Sequence, residues 1–152
     1  IHAGSAHNVI DDEVTLGGTV RTFKDSTRKF IETKIKKISE GIASAHGATI
    51  DFEYINGYPP TINHKKQSNF AANVAKNMVG NDNVITDIEP SMGGEDFSYL
   101  LNKKPGSYLY IGQKDENHKD NLHTTKYDFN DNLLPIGVNF WVNLVKEFFS
   151  SK

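Results

Sequence analysis

Val14-Thr15-Leu16-Gly17-Gly18-Thr19-Val20-Arg21-Thr22-Phe23 decides how the first part of this chain is read. Side chains alternate across a strand. Val14, Leu16, Gly18, Val20 and Thr22 therefore share one face, and Thr15, Gly17, Thr19, Arg21 and Phe23 share the other. The first set packs; the second carries polar groups and one guanidinium. Gly17-Gly18 inside a strand implies a bulge or a close backbone approach. Asp25 or Ser26 then caps a helix in which Ile31, Ile35, Ile38 and Ile42 repeat at helical spacing as one apolar stripe. Gly47 ends it, and His46 suits the negative end of the helix dipole. A second strand follows, with Ile50, Phe52 and Tyr54 on one side and Thr49, Asp51 and Glu53 on the other. Strand, helix, strand, each amphipathic, is half of a small α+β sandwich.

Gly57-Tyr58-Pro59-Pro60-Thr61 breaks the pattern, because adjacent prolines cannot continue a strand ladder. The domain boundary is expected near Asn63, dividing the chain into 1–63 and 64–152. Beyond it, a helix from about Lys65 to Val79 places Phe70, Ala71, Val74, Ala75 and Met78 inside and stops at Gly80. Val84 to Ile88 reads as a short strand, Phe97 to Asn102 as a helical turn ended by Pro105-Gly106, and Ser107 to Gly112 as a buried strand. A last helix starts at an Asp131 or Asn132 cap, with Pro135 in its first turn, where a missing N–H costs little. Leu134, Val138, Trp141, Val145 and Phe148 form its apolar face. This alternation is the grammar of an α/β layer, with too few strands to cover its own sheet, so more sheet is expected from outside the chain.

The composition narrows the function classes. A length of 152 residues allows one ordinary domain or pieces of two. Hydrophobic content of 37% suffices for a core and argues against disorder. A net charge of -2 gives no nucleic-acid footprint, and Lys34-Ile35-Lys36-Lys37 reads as a solvated helix face. With no cysteine, disulfides, cysteine-ligated zinc and a thiol nucleophile are excluded for this stretch. No apolar run approaches the ~20 residues that span a bilayer. The chain begins at Ile1 rather than Met, so its true N-terminus is expected to lie upstream.

Three constellations carry chemistry. In Leu122-His123-Thr124-Thr125-Lys126-Tyr127-Asp128-Phe129-Asn130-Asp131, a histidine sits in a polar loop before a capped helix. A ligating imidazole needs a neutral ring, a fixed tautomer and a rigid anchor; Asp128, Asn130 and Asp131 are candidates to accept its second ring proton. The alternative is a solvated loop histidine. His118 has a similar composition-level case with less context, and His2, His7, His46 and His64 show no His-x-x-x-His spacing. In Met92-Gly93-Gly94-Glu95-Asp96-Phe97, two glycines let a backbone approach a ligand closely, and successive N–H groups can hold an anion. The alternative is a tight turn with helix-capping acids. Asn8 with Arg21 can grip a carboxylate, the guanidinium through two parallel hydrogen bonds; alternatively Arg21 is a surface residue near an acid. No Ser-x-x-Lys, Gly-x-Ser-x-Gly or P-loop pattern is present.

Together these motifs resemble one family. Asn8-Val9-Ile10 with Gly18-Thr19-Val20-Arg21-Thr22-Phe23 resembles the satellite-domain signature of the M20 metallopeptidases and amidohydrolases. Tyr58-Pro59-Pro60-Thr61-Ile62-Asn63 resembles the exit from that domain. Met92 to Ser98, Pro105-Gly106, Tyr110-Ile111-Gly112, Leu122-His123 and Tyr127 to Asp131 resemble the C-terminal catalytic half. The nearest subgroup acts on N-acyl amino acids and includes hippurate hydrolase, N-acetyl-diaminopimelate deacetylase and the plant auxin-conjugate hydrolases.

The resemblance implies an α/β (α+β) architecture: the second half of a ferredoxin-like satellite domain, then the C-terminal part of a zinc-peptidase-like α/β domain. It implies a centre of two divalent metal ions (zinc, manganese, nickel or cobalt) in the parent enzyme, which activate a water and polarise the amide carbonyl. His123 corresponds to the last metal ligand, Asn8 and Arg21 to the carboxylate-binding pair, and Gly93 and Gly94 to the turn lining the cleft. Glu95 and Asp96 belong to the motif without an assigned role. An N-acyl amino acid or small peptide substrate, a homodimer through the satellite domain, a cytoplasmic location, and no nucleic-acid or membrane partner complete the expectation. The family's His-x-His-Asp motif, its Glu-Glu pair with the general base, and its satellite-domain histidine are all absent here, so this stretch alone is expected to be inactive and metal-free. Asp11 stands where the family usually has proline. The rival expectation is a non-catalytic ferredoxin-like binding or dimerisation module.

Overall fold

A computed structural model describes residues 1–150. The chain divides into two compact units, one of Ile1–Pro60 and a second that begins at Thr61.

In the first unit, helix α1 runs over Asp25–Ala45. No side chain caps its start; Lys24 is the N-cap, with Asp25 in the first turn. Its end is well defined. Gly47 takes a φ of 71°, and the N–H groups of Gly47 and Ala48 bond Ser44 O at 3.2 Å and Ala43 O at 2.9 Å. That pair closes the helix with a left-handed glycine, as expected from the sequence. The Arg28 guanidinium donates to Tyr58 O at 2.6 Å and Gly57 O at 3.4 Å, tying α1 to the end of the unit.

The second unit holds α2 (Lys65–Val79), α3 (Phe97–Leu101) and α4 (Leu134–Ser150). Gly80 ends α2 at a φ of 91°. α2 packs against α4, with Val74 buried and Phe70 edge-on to Phe148 at 6.3 Å between ring centres. A 3₁₀ turn, Asp131–Leu133, precedes α4, and its cap is Asn130, one residue before the expected Asp131. Pro135 sits in the first turn of α4, where it displaces no hydrogen bond.

The strands are where sequence and structure part. None of the four expected strands forms a ladder among the described residues; the sole pairing is an isolated antiparallel bridge between His2 and Thr15. A strand is defined by its neighbour, because its N–H and C=O groups must be paired across a ladder. Residues 14–23, 49–54, 84–88 and 107–112 have alternating or apolar composition but no partner strand here. Ser107–Gly112 is also not buried: Leu109, Tyr110 and Ile111 are exposed. The apolar stripes are likewise uncovered. Ile35, Ile38 and Ile42 of α1, and Leu134, Val138, Trp141, Val145 and Phe148 of α4, all lie on the surface. Among the described residues only Ala71, Val74 and Leu101 are fully buried apolar side chains.

The interior of the second unit therefore rests on few groups. Leu101→Ala should lower its unfolding free energy by about 2–4 kcal/mol, whereas Ile85→Ala, at an exposed position, should change it by less than about 0.5 kcal/mol. Urea unfolding of both variants checks the contrast.

Candidate functional site

In the first unit, Asn8 lies in a turn pinned by Asp11. Asp11 Oδ2 accepts the Gly4 N–H at 2.7 Å, and Val9 N–H bonds Ala6 O at 3.2 Å. A carboxylate thus constrains the chain at this turn. Arg21 is exposed and forms no hydrogen bond or ion pair among the described residues, so its guanidinium is free to meet a carboxylate. Asn8 is exposed as well.

In the second unit, Gly93 and Gly94 are exposed and lie in neither a turn nor a bend, and Glu95 anchors the chain directly after them. Glu95 Oε2 accepts the Tyr108 hydroxyl at 2.8 Å, and Oε1 accepts the Phe97 N–H at 3.4 Å. Ser98, fully buried, donates its hydroxyl to Glu95 O at 2.6 Å. Glu95 therefore meets the Phe97 N–H at the start of α3 and grips Tyr108, a role that its motif alone did not assign. Tyr108 is held from the other side too. The Asn63 carboxamide donates to Tyr108 O at 2.8 Å and accepts from Tyr108 N at 2.7 Å. Next to it, His64 N–H bonds Gly106 O at 3.1 Å, while Gly106 N–H bonds His64 Nδ1 at 3.2 Å. His64, which sequence spacing left without a role, thus accepts a backbone N–H. A Cβ at Gly106 would lie 3.1 Å from Leu101 Cδ2, so the leucine end would have to shift by a few tenths of an ångström to admit one.

His123 sits at a turn with a φ of 65°, the one non-glycine residue with positive φ among the described residues. Its ring is exposed and makes no hydrogen bond or ion pair among them. Asp128, Asn130 and Asp131 do not accept its ring proton, contrary to expectation. Asn130 instead turns inward, 6% exposed, and donates to Gln113 O at 3.1 Å and Asp115 Oδ2 at 3.0 Å. Asp128 contributes its backbone carbonyl to Gln113. His118 pairs with Asp115, Nδ1 to Oδ1 at 2.8 Å. That contact, with the N–H groups of His118 and Asn117, holds the Asp115 carboxyl down at about 2.

No group of three or more His, Asp and Glu side chains capable of holding a metal exists among the described residues. The donor set fits one ligand position: a solvent-facing imidazole with both ring nitrogens uncommitted, carried on a turn whose conformation ordinary residues avoid. No hydrogen bond or ion pair joins His123 to Gly93-Gly94. Asn8 and Arg21 lie in one unit, and Gly93, Gly94 and His123 in the other. Among the described residues, no helix is long and apolar enough to cross a membrane.

The Glu95–Tyr108 contact has a titration signature. The tyrosine's hydrogen bond, then the Phe97 N–H, lowers the Glu95 carboxyl, and the same contact with burial raises the Tyr108 hydroxyl to about 12. A hydroxyl raised on folding contributes stability in full below its unfolded value of 10 and loses it as pH rises toward 12. Tyr108→Phe should abolish that alkaline loss and return the Glu95 carboxyl toward its ordinary value. Carboxyl-carbon NMR titration of both proteins measures it; an unmoved Glu95 would refute the contact.

Residues 3–147 match the sequence profile of Peptidase family M20/M25/M40. The chain is 35% identical over 154 residues to IAA-amino acid hydrolase ILR1-like 4 of Arabidopsis thaliana, covering 95% of this chain and 34% of that protein. It is 34% identical over 148 residues to hippurate hydrolase of Campylobacter jejuni, covering 97% and 38%. Its fold resembles the crystal structure of the Bacillus subtilis YXEP protein, a dinuclear metal binding peptidase from the M20 family. There the TM-score is 0.78 at 28% identity, over 94% of this chain and 38% of that one. The chain thus spans about a third of the length of the curated relatives it matches. With almost every residue aligned to one profile and its fold shared with a solved member, the chain belongs to peptidase family M20/M25/M40.

Proposed function

We propose that this chain is the C-terminal part of a metal-dependent amidohydrolase that cleaves the amide bond of N-acyl amino acids or small peptides. The profile match over residues 3–147 carries the reading, since it includes both the Asn8 to Phe23 motif and the His123 loop. Residues up to about Asn63 would complete a ferredoxin-like satellite domain, and the rest would close a zinc-peptidase-like α/β domain. Homodimerisation through the satellite domain and a cytoplasmic location belong to the same reading. The exposed apolar positions of α1 and α4 and the extended segments that join no ladder among the described residues fit a chain that packs against further sheet.

Within that enzyme, His123 offers a ring nitrogen lone pair to one of two divalent ions, of zinc, manganese, nickel or cobalt. Divalent ions in such a centre polarise a carbonyl and lower the pKa of a bound water. Arg21 grips the substrate carboxylate through two parallel N–H donors, and Asn8 adds a neutral donor. Gly93 and Gly94 carry no side chain, so a substrate can lie directly against their backbone. The isolated chain holds one such ligand, and it is inactive in this reading.

Two substitutions in the full-length enzyme test these roles. His123→Ala should lower kcat/KM by more than about 100-fold and release bound metal, since losing a group that only orients a ligand already costs about 10–100-fold. Near-normal turnover with full metal content by elemental analysis would sink the ligand role. Arg21→Ala should raise KM about 10–100-fold for substrates with a free carboxylate, the worth of a charge-assisted pair, and leave the methyl esters nearly unchanged. Equal losses on acids and esters argue against a clamp.

A further inference from the structure

The segment between Gln113 and Asn130 is closed at its base by side chains, and His123 stands at its apex. Asn130 lies at the centre of that base, 6% exposed. Its carboxamide nitrogen donates to Gln113 O at 3.1 Å and Asp115 Oδ2 at 3.0 Å, while its oxygen accepts the Asn132 N–H at 3.2 Å. One buried group therefore joins the incoming strand of the loop, the outgoing strand and the entry to α4. A second clasp lies beside it: the Tyr127 hydroxyl donates to Gln113 Oε1 at 3.0 Å, and Gln113 Nε2 donates to Asp128 O at 3.4 Å. Asp115 Oδ1 meanwhile gathers the N–H groups of Asn117 and His118 and the His118 ring, each at 2.8 Å.

Above this base the loop is polar and exposed, with few bonds of its own. Lys114 Nζ reaches Asn121 Oδ1 at 2.8 Å, and the Thr124 hydroxyl reaches Asn121 O at 2.9 Å. Neither contact bonds the His123 ring, but the second spans His123, and Thr124 O in turn accepts the Tyr127 N–H at 3.2 Å. His123 holds a φ of 65°, a conformation that crowds Cβ against backbone and costs a non-glycine residue free energy. Such a residue keeps its conformation only where the surrounding chain over-determines it. Here the local turn supplies one constraint and the closed base, which sets where the ends of the loop lie, supplies the other.

We propose that Asn130 is a positioning residue for His123: by clasping Gln113 and Asp115 it fixes the ends of the loop and so presents the imidazole at a strained, outward-facing turn. The importance of that presentation rests on the reading of His123 as a metal ligand. The rival role for Asn130 is a helix cap alone, and the chemistry separates the two. Capping uses only the carboxamide oxygen. Clasping uses the nitrogen. Asn130→Asp keeps the oxygen that accepts Asn132 N–H but sets a second carboxylate against Asp115. Asp115→Asn keeps an acceptor for His118 but turns an N–H₂ toward the N–H₂ of Asn130. Combining the two restores the contact between positions 115 and 130 with its direction reversed, but leaves Gln113 O without its donor.

The conformation is read on the 152-residue chain by the His123 Cα shift and its HN–Hα coupling, which report the sign of φ. Ligand quality is read on the full-length protein as its affinity for zinc, by competition with a chromogenic chelator. Both single variants should lose the positive-φ signature and about ten-fold or more in zinc affinity, and the double variant should regain only the part carried by the contact between positions 115 and 130. Wild-type His123 signals in both single variants would overturn the proposal. His123→Ala serves as the separate control. If it leaves zinc affinity unchanged, the ligand reading fails, while the His123 signals still judge the clasp.

Discussion

Tyr108 is held at both ends, and the second unit is organised around that grip. Its backbone N–H and C=O are paired by the Asn63 carboxamide, and its hydroxyl by Glu95. A side-chain amide here does what a neighbouring strand does in a sheet, offering one donor and one acceptor to the same residue. The ring fills the space between, in contact with Phe97 and Tyr110. Through this residue the entry to α2, the chain after the double glycine and α3 are tied to one another. The glycines can stay exposed while the chain beside them is anchored, because Glu95 bears the contacts.

The rest of the fold is shaped by surfaces without partners. Helices close their own hydrogen bonds, so α1, α2 and α4 form wherever local sequence permits. Extended segments do not, so residues 14–23 and 107–112 remain without a ladder. The same logic explains why the Ile35, Ile38 and Ile42 stripe and the Trp141 face are bare. Their amphipathic pattern encodes a partner, and the pattern is satisfied only when that partner is present. A chain spanning about a third of its relatives is consistent with such unpaired faces.

The candidate site follows the same division. His123 stood out in the sequence as a histidine in a polar loop ahead of a helix, within a motif resembling one family, and its ring is exposed in the structure. Gly93-Gly94 stood out as a glycine pair, the pattern expected where a backbone comes close to a ligand. The support behind them was not. Glu95 reads as one acid among several until Tyr108 is seen to donate to it. Asn130 reads as a potential partner for His123, its neighbour in sequence, yet it faces the other way, toward Gln113 and Asp115. Sequence proximity says which groups are near; the direction of a side chain depends on where the backbone turns, which distant residues decide.

Sequence by itself determined the presence of the helices, the glycine ends of α1 and α2, the break at Pro59-Pro60 and the family. These are local or pattern properties: hydrophobic periodicity, a glycine free to take positive φ, a ring without an N–H, a motif in order. Only the tertiary structure decided that Asn63 pairs with Tyr108, that Glu95 accepts a phenol, that Asn130 turns from His123 to clasp a loop, and that His123 itself is strained. Each of those joins groups whose meeting, or a conformation whose upkeep, depends on how the chain between and around them folds. Spacing along a sequence does not encode that.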